Sequence, residues 1–303
     1  MVVGAIADSL LGDPSRFHPV AGFGGLALGA EKRLWRPSRG AGMVYSALLI
    51  GTPAAAAALA ERRLASSRIL RGVLRATAVW TVLGGRSLGR EATELGAALA
   101  RGDVEAARRR APSLVGRDPA ELDAGGLARA TVESVAENTS DAVVGSLLWC
   151  AFAGIPGAAA HRAVNTLDAM VGHRSERYRE FGWASARLDD AANWLPARLT
   201  AGLTILLAPI AGGTQRETLR VALRDGRRHP SPNAGRVEAA FAGALSLRLG
   251  GVNRYGLKLE HRPQIGNGNN ASTADIRRAV ALSRAVAQAA LALCAGLAWA
   301  LRR

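Results

Sequence analysis

From Glu133 to Thr200 the chain reads ESVAENTSDAVVGSLLWCAFAGIPGAAAHRAVNTLDAMVGHRSERYREFGWASARLDDAANWLPARLT. An apolar run, residues 142–160, is flanked on both sides by carboxylates, amides and arginines. Ionisable groups beside hydrocarbon are expensive and are rarely kept there without a task. The stretch that decides the fold therefore also marks where chemistry belongs.

Working outward, further apolar blocks lie at residues 1–12, 43–60, 69–84, 199–213 and 280–301. A membrane-crossing helix needs about 20 mostly apolar residues. Residues 43–60 and 280–301 approach that length, although the second block carries Arg284 and Gln288. The block from Ile69 holds Arg71 and Arg75 near one end, where long side chains can snorkel. Residues 199–213 are few and include Pro209, and the central run is interrupted by Gly154, Pro156 and Gly157. A soluble Ala-rich bundle is the competing reading. Gly and Pro inside the blocks favour the membrane, where they are commoner than in soluble helices. The expected fold is all-α, a polytopic integral membrane helical bundle with polar interhelical stretches, forming one domain over 1–303 in the cell membrane.

The polar stretches read as helices at 87–110, at 118–138 with a start at Asp118-Pro119, and at 216–224. His229–Gly235 (HPSPNAG) and Gly266–Asn270 (GNGNN) read as a shaped loop and a turn. Period-two alternation is scarce, so little strand is expected. The first residues lack a basic n-region and an A-x-A site, so no cleavable signal is expected.

The chain has 303 residues and a formal net charge of +15, yet aromatic residues are only 5%, too few for stacking on bases, and no nucleic-acid-binding motif is present. No nucleic-acid partner is expected. Arginines between apolar blocks suit anionic lipid or anionic substrates. Cys150 and Cys294 sit in apolar blocks without metal-type spacing and read as small buried hydrophobes. No Walker, dinucleotide or H-E-x-x-H pattern occurs, so any nucleotide use proceeds through another kind of site.

Four groups of residues could carry chemistry. Glu133, Glu137 and Asp141 are spaced to share one helix face beside Asn138, where like charges repel unless a cation sits against them. Asn165 and Asp168 follow the Gly-Pro break, behind His161 and Arg162. Arg187, Asp189, Asp190 and Asn193 form a polar patch ahead of Arg198, with Asp189 and Asn193 on one face and Asp190 facing Arg187. Asp13, His18, His229 and Asn233 lie in Pro-containing turns. Each group also reads as a solvated face, a cap or a local ion-pair array.

Taken in order, GDPSRFHPV at 12–20, ESVAENTSDAVV at 133–144, the GIPG…ARLT run at 154–200, RRHPSPNAGRVEAAFAGALSLRLGG at 227–251, NRY at 253–255 and RPQIGNG at 262–268 resemble the adenosylcobinamide-phosphate synthases, the CobD/CbiB family of cobalamin biosynthesis. The resemblance covers nearly the whole chain. Two departures are a short apolar stretch before Gly12 and Arg236 where the family commonly has Trp. The resemblance implies a multi-helix membrane enzyme that joins the carboxylate of cobyric acid, a corrinoid, to (R)-1-aminopropan-2-ol or its O-phosphate, with ATP as co-substrate. The acidic series and the phosphates of ATP make Mg²⁺ the expected metal.

The resemblance supports the positions; the role of each residue is chemical inference. Glu133, Glu137, Asp141 and Asp168 are the candidate catalytic groups. Asn138, Asn165, Arg187, Arg198, Asp13, His18, His229 and Asn233 are candidates for binding substrate. Glu137, Asp141, Asp189, Asp190 and Asn193 are candidates for metal. The alternative function is a membrane carrier for a corrinoid or another anionic small molecule. Oligomeric state is not readable from the sequence.

Overall fold

A computed structural model describes residues 1–13, 18–116, 118–173, 175–255 and 258–301, with backbone alone at 252–255 and 258–261. Pro14 to Phe17 of the first quoted motif lie outside the described residues, as do the side chains of Asn253 to Tyr255.

The helices in chain order are α1 (Val2–Leu11), α2 (Pro19–Leu34), α3 (Arg39–Arg63), α4 (Arg68–Leu83), α5 (Gly85–Ala100), α6 (Val104–Arg110), α7 (Ala124–Asn138), α8 (Gly145–Leu167), α9 (Trp183–Ala192), α10 (Trp194–Leu206), α11 (Gln215–Asp225) and α12 (Ala234–Leu245). Strands β1 (Leu247–Tyr255), β2 (Lys258–Ile265) and β3 (Asn269–Asn270) follow, and α13 (Thr273–Ala300) closes the described chain. Side chains on the preceding residue start many of these helices. Ser38, Ser67, Asp103, Asp123 and Thr214 each accept a hydrogen bond from a first-turn N–H, satisfying donors the helix itself cannot.

Among the described residues, three helical stretches are long and apolar enough to cross a membrane: Arg39–Arg63, Ala124–Gly172 and Thr273–Ala300. They differ in burial. The most apolar window of Ala124–Gly172 is 67% buried inside the protein, against 11% for Arg39–Arg63. The first is therefore wrapped by other helices, whereas α3 presents Met43, Val44, Leu48 and Leu59 outward, the pattern of a helix in contact with lipid. The all-α multi-pass expectation holds.

By internal packing the chain divides into two compact units. Unit 1 comprises residues 1–86, 141–196 and 291–303. Its centre is Tyr45, Phe181, Leu167, Val171 and Ala27, all fully buried. The Tyr45 and Phe181 rings meet at 4.9 Å, and the Tyr45 hydroxyl donates to the Ala27 carbonyl at 3.3 Å. One turn along, the buried Ser46 and Ser185 hydroxyls pair at 2.9 Å. This approach requires glycine at position 42, because a Cβ there would fall 1.9 Å from the Phe181 carbonyl oxygen. α8 is interrupted at Ala153 and Gly154, where Gly154 takes φ +67°. Pro156 then sits at the start of the restarted helix, a position that needs no N–H. Two π-helical turns, Thr139–Val144 and Asp168–Gly172, bracket α8.

Unit 2 comprises residues 87–140 and 197–290. α12 is buried nearly all round, as expected of a helix apolar on every face. α11 comes close to it because a Cβ on Gly243 would meet the Thr218 Cα at 2.7 Å. β1 and β2 form an antiparallel hairpin with a bulge at Leu249/Gly251, and β3 pairs in parallel with Leu247–Arg248. The buried Asp225 carboxylate accepts from the Gly266 N–H at 2.9 Å and from Arg224, fixing the turn after β2.

Three local expectations are corrected. The hairpin was unforeseen because Gly250 and Gly251, both at positive φ, break the alternation that would reveal a strand. The 118–138 helix begins at Ala124, since Asp123 and not Asp118 accepts the first-turn N–H, from Gly126 at 2.7 Å. The 87–110 helix is divided at Gly102, which takes φ +78°.

Gly42→Leu is expected to destabilise unit 1 by about 1–3 kcal/mol through overpacking, read as a lower melting temperature in detergent. Gly51→Leu on the same helix, where a Cβ meets nothing within 4 Å, is expected to leave it unchanged or raised.

Candidate functional site

The candidate residues fall into two sets, one in each unit. In unit 1 the set begins with α8. After its break at Gly154, His161 and Asn165 lie one turn apart on one face. α9 brings Asp189, and Asn193 ends that helix as its C-cap. The Asp189 Oδ1 accepts from Asn165 Nδ2 at 2.6 Å and from Asn193 Nδ2 at 2.8 Å. Asn193 Oδ1 lies 2.9 Å from His161 Nε2. The result is a continuous polar chain, His161–Asn193–Asp189–Asn165, linking α8 to α9. His161 is 2% exposed and Asn193 fully buried.

The bonding fixes protonation. With its nitrogen committed to Asp189, Asn193 offers oxygen to His161, so His161 Nε2 carries the hydrogen and Nδ1 keeps a lone pair. His161 Nδ1 and Asn165 Oδ1 are buried acceptors without a hydrogen-bond partner, and Arg162 Nε is a buried donor without one. Such groups cost about 1–3 kcal/mol each when left unsatisfied. Burial pushes the Asp189 carboxyl above its ordinary range, and the two amide donors oppose the rise. Trp149 stacks on His161 with ring centroids 6.5 Å apart and donates to the Ala192 carbonyl at 3.0 Å.

The other unit 1 candidates occupy different positions. Asp13 Oδ1 is 3.9 Å from His18 Nε2 and acts electrostatically on Arg162. His18 Nδ1 accepts from the Val20 N–H and caps α2. Arg187 and Asp190 are 3.8 Å apart on the outer side of α9, lining a shallow hollow with His173, Tyr178 and Trp183. Asp168 opens the second π-helical turn and lies over Gly172, where a Cβ would collide with its Oδ1. Asp141 sits in the first π-helical turn. That wider turn interrupts the α-helical spacing by which Asp141 was expected to share a face with Glu133 and Glu137. Wide turns of this kind are frequent at functional positions.

In unit 2, the loop before α12 and the helix itself assemble a second set. Asn233 precedes α12, and its Oδ1 accepts from Arg198 at 2.9 Å. Ser231 Oγ accepts from the Ala234 N–H at 3.1 Å and takes over the capping role. His229 Nδ1 accepts from the Ser231 N–H at 3.0 Å. Its Nε2 lies 3.2 Å from Arg262 Nη1 and 3.8 Å from the buried Glu238 carboxylate. Close packing of loop on helix requires Gly235, where a Cβ would fall 2.3 Å from the His229 Cβ. Burial lowers the pKa of Arg198, and the neighbouring Arg236 adds to the effect. Three guanidinium groups around one helix N-terminus suit an anion.

The remaining unit 2 candidates are on α7. Glu133 is buried, and its Oε1 accepts from the Gly250 N–H at 2.8 Å, with Arg129 Nε at 4.0 Å. Its observed partner is the β1 bulge. Asn138 donates back to the Ser134 carbonyl at 2.9 Å. Glu137 is exposed. Among the described residues there is no group of three or more His, Cys, Asp or Glu side chains able to hold a metal ion. Mg²⁺ commonly takes one or two carboxylates and completes its shell with substrate phosphates, so these residues do not build a resident cage for it.

The sequence sets His161 and Arg162 beside Asn165 without assigning them a role, and it offers no place to Glu238 and Arg262; all four belong to these sets. For His161 a signal existed, since it stands four residues before Asn165. Arg262 and Glu238 meet His229 only through the folded chain.

The family described as CobD/Cbib protein matches residues 1–283. Over 299 residues the chain is 50% identical to a protein of Mycobacterium tuberculosis (strain CDC 1551 / Oshkosh) named "Cobalamin biosynthesis protein CobD", covering 99% of this chain and 95% of that one. Proteins of the same name from Geobacter metallireducens and Rhodobacter capsulatus are 46% and 40% identical, covering 88% and 98% of this chain and 86% and 96% of theirs. No solved structure matches. The chain belongs to the CobD/Cbib family.

Glu133→Ala is expected to leave the Gly250 N–H unsatisfied and to destabilise unit 2 by about 1–3 kcal/mol. Glu133→Gln keeps an acceptor oxygen and is expected to melt near the wild-type temperature. Equal losses in both variants would contradict the backbone-anchoring role.

Proposed function

We propose that this family member is a cobalamin-biosynthesis enzyme of the cell membrane that condenses cobyric acid with (R)-1-aminopropan-2-ol or its O-phosphate, using ATP. The observation that carries the reading is 50% identity across 99% of the chain to a protein named for cobalamin biosynthesis. Buried polar groups inside an apolar helical stretch support an enzyme at this step.

A carboxylate resists attack by an amine because its carbonyl carbon is shielded by negative charge. The carboxylate oxygen of the corrinoid displaces ADP from the γ-phosphorus of ATP and forms an acyl phosphate. The neutral amine then attacks the acyl carbon, inorganic phosphate departs, and the proton lost by the nitrogen passes to a base. Holding acid and amine together supplies much of the rate, since a bimolecular step becomes effectively unimolecular.

The chemistry of each set suggests its task. The cationic groups Arg198, Arg236 and Arg262, with Asn233 and the start of α12, suit phosphate oxygens and the charge that develops on them. The acceptor-rich set on α8 and α9 suits a cation. Arg187 is an additional anion contact. Glu137, Asp141 and Asp168 are carboxylates able to take a proton from the amine. Asp13 and His18 are assigned to substrate positioning. In this reading Mg²⁺ would accompany the ATP phosphates.

The test is incubation of the purified chain with cobyric acid, ATP, Mg²⁺ and each amine. A corrinoid product heavier by one amine less one water, formed with one ADP and one phosphate, is expected. Glu137→Gln is expected to slow product formation at least tenfold at an unchanged melting temperature. An unaltered corrinoid mass under all conditions would contradict the reading, and movement of unaltered corrinoid into sealed vesicles would replace it with a carrier.

A further inference from the structure

Resting on that reading, we propose that Asp189, Asn165 Oδ1 and His161 Nδ1 form the subsite for a protonated primary amine, the ammonium group of the amino alcohol. An ammonium carries three donors and no acceptor. The set on α8 and α9 has the complementary deficiency. Asn165 and Asn193 spend their donors on Asp189 Oδ1, and His161 spends its single donor on Asn193 Oδ1. What remains is a carboxylate, two buried acceptors with nothing to accept from, His161 Nδ1 and Asn165 Oδ1, and one buried donor, Arg162 Nε.

Other ligands fit less well. A phosphate or carboxylate would find one unpartnered donor, Arg162 Nε, and would set its other oxygens against two acceptors and the Asp189 carboxylate. A magnesium ion prefers oxygen ligands to an imidazole nitrogen, and no third acidic or imidazole group converges among the described residues. Water could satisfy a lone pair but brings no charge to set against the half-buried Asp189 carboxylate. A cationic amine satisfies both needs. The free amino alcohol and its O-phosphate share this group, so the subsite serves either.

The test uses the full chain in detergent with cobyric acid and without ATP. Equilibrium dialysis measures binding of labelled (R)-1-aminopropan-2-ol, of its O-phosphate, and of (R)-propane-1,2-diol, in which a hydroxyl replaces the amine. At least one amine is expected to bind about 10- to 100-fold more tightly than the diol, the range for losing a charged hydrogen-bonding partner. That comparison needs no variant, so it stands even if a substitution fails to fold. Asp189→Asn is expected to weaken amine binding by a similar factor and, in turnover, to raise KM for the amine while leaving KM for the corrinoid near wild type. Equal binding of amine and diol, no amine binding at all, or a rise confined to the corrinoid KM would overturn the subsite. Amine binding that depends on Asp189 in a chain that never forms the amide would retain the subsite and remove the reaction.

Discussion

The constraint on which unit 1 depends is the cost of placing hydrogen-bonding groups inside an apolar helix. α8 belongs to a stretch long and apolar enough to span a membrane, yet it carries His161, Arg162 and Asn165 within one turn and a half. A polar group buried without a partner loses its hydration and regains nothing. The chain meets part of that demand with a single oxygen, Asp189 Oδ1, which accepts from two amides and so ties α9 to α8. The break at Gly154 restarts α8 about two turns before His161. Tyr45 and Phe181 pack nearby elements into the same unit.

The satisfaction is incomplete, and its pattern is informative. Two acceptors, His161 Nδ1 and Asn165 Oδ1, are left over with one donor, Arg162 Nε. A scaffold selected only for stability would have no reason to keep His161 Nδ1 and Asn165 Oδ1 buried and unpaired, since apolar residues of similar size would pack there without penalty. In unit 2 arginines gather about the start of α12.

Much of this was legible from the residues alone. The apolar blocks became α1, α3, α4, α8, α10 and α13 because twenty-residue hydrophobicity is a local property. The α8 break was legible because Gly154, Pro156 and Gly157 act on their own backbone. Asp189 and Asn193 do meet, as their four-residue spacing on one helix face implied. What escaped notice depends on distant partners. Glu133 bonds a backbone N–H 117 residues away, so its place in an acidic series was a poor guide to its contacts. Asn165 finds Asp189 across 24 residues. The π-helical turns, the bulged hairpin and the Asp123 cap are backbone choices that side-chain periodicity does not encode.

The central claim, that the chain activates a corrinoid carboxylate for attack by an amine, is tested most directly by isotope transfer. Cobyric acid labelled with ¹⁸O in its reacting carboxylate is incubated with the amino alcohol, ATP and the purified chain, and the phosphate released is analysed by mass spectrometry. One ¹⁸O from each carboxylate converted is expected in inorganic phosphate, with the other retained in the new amide. Label in AMP, or unlabelled phosphate alongside an unchanged corrinoid, would contradict the account.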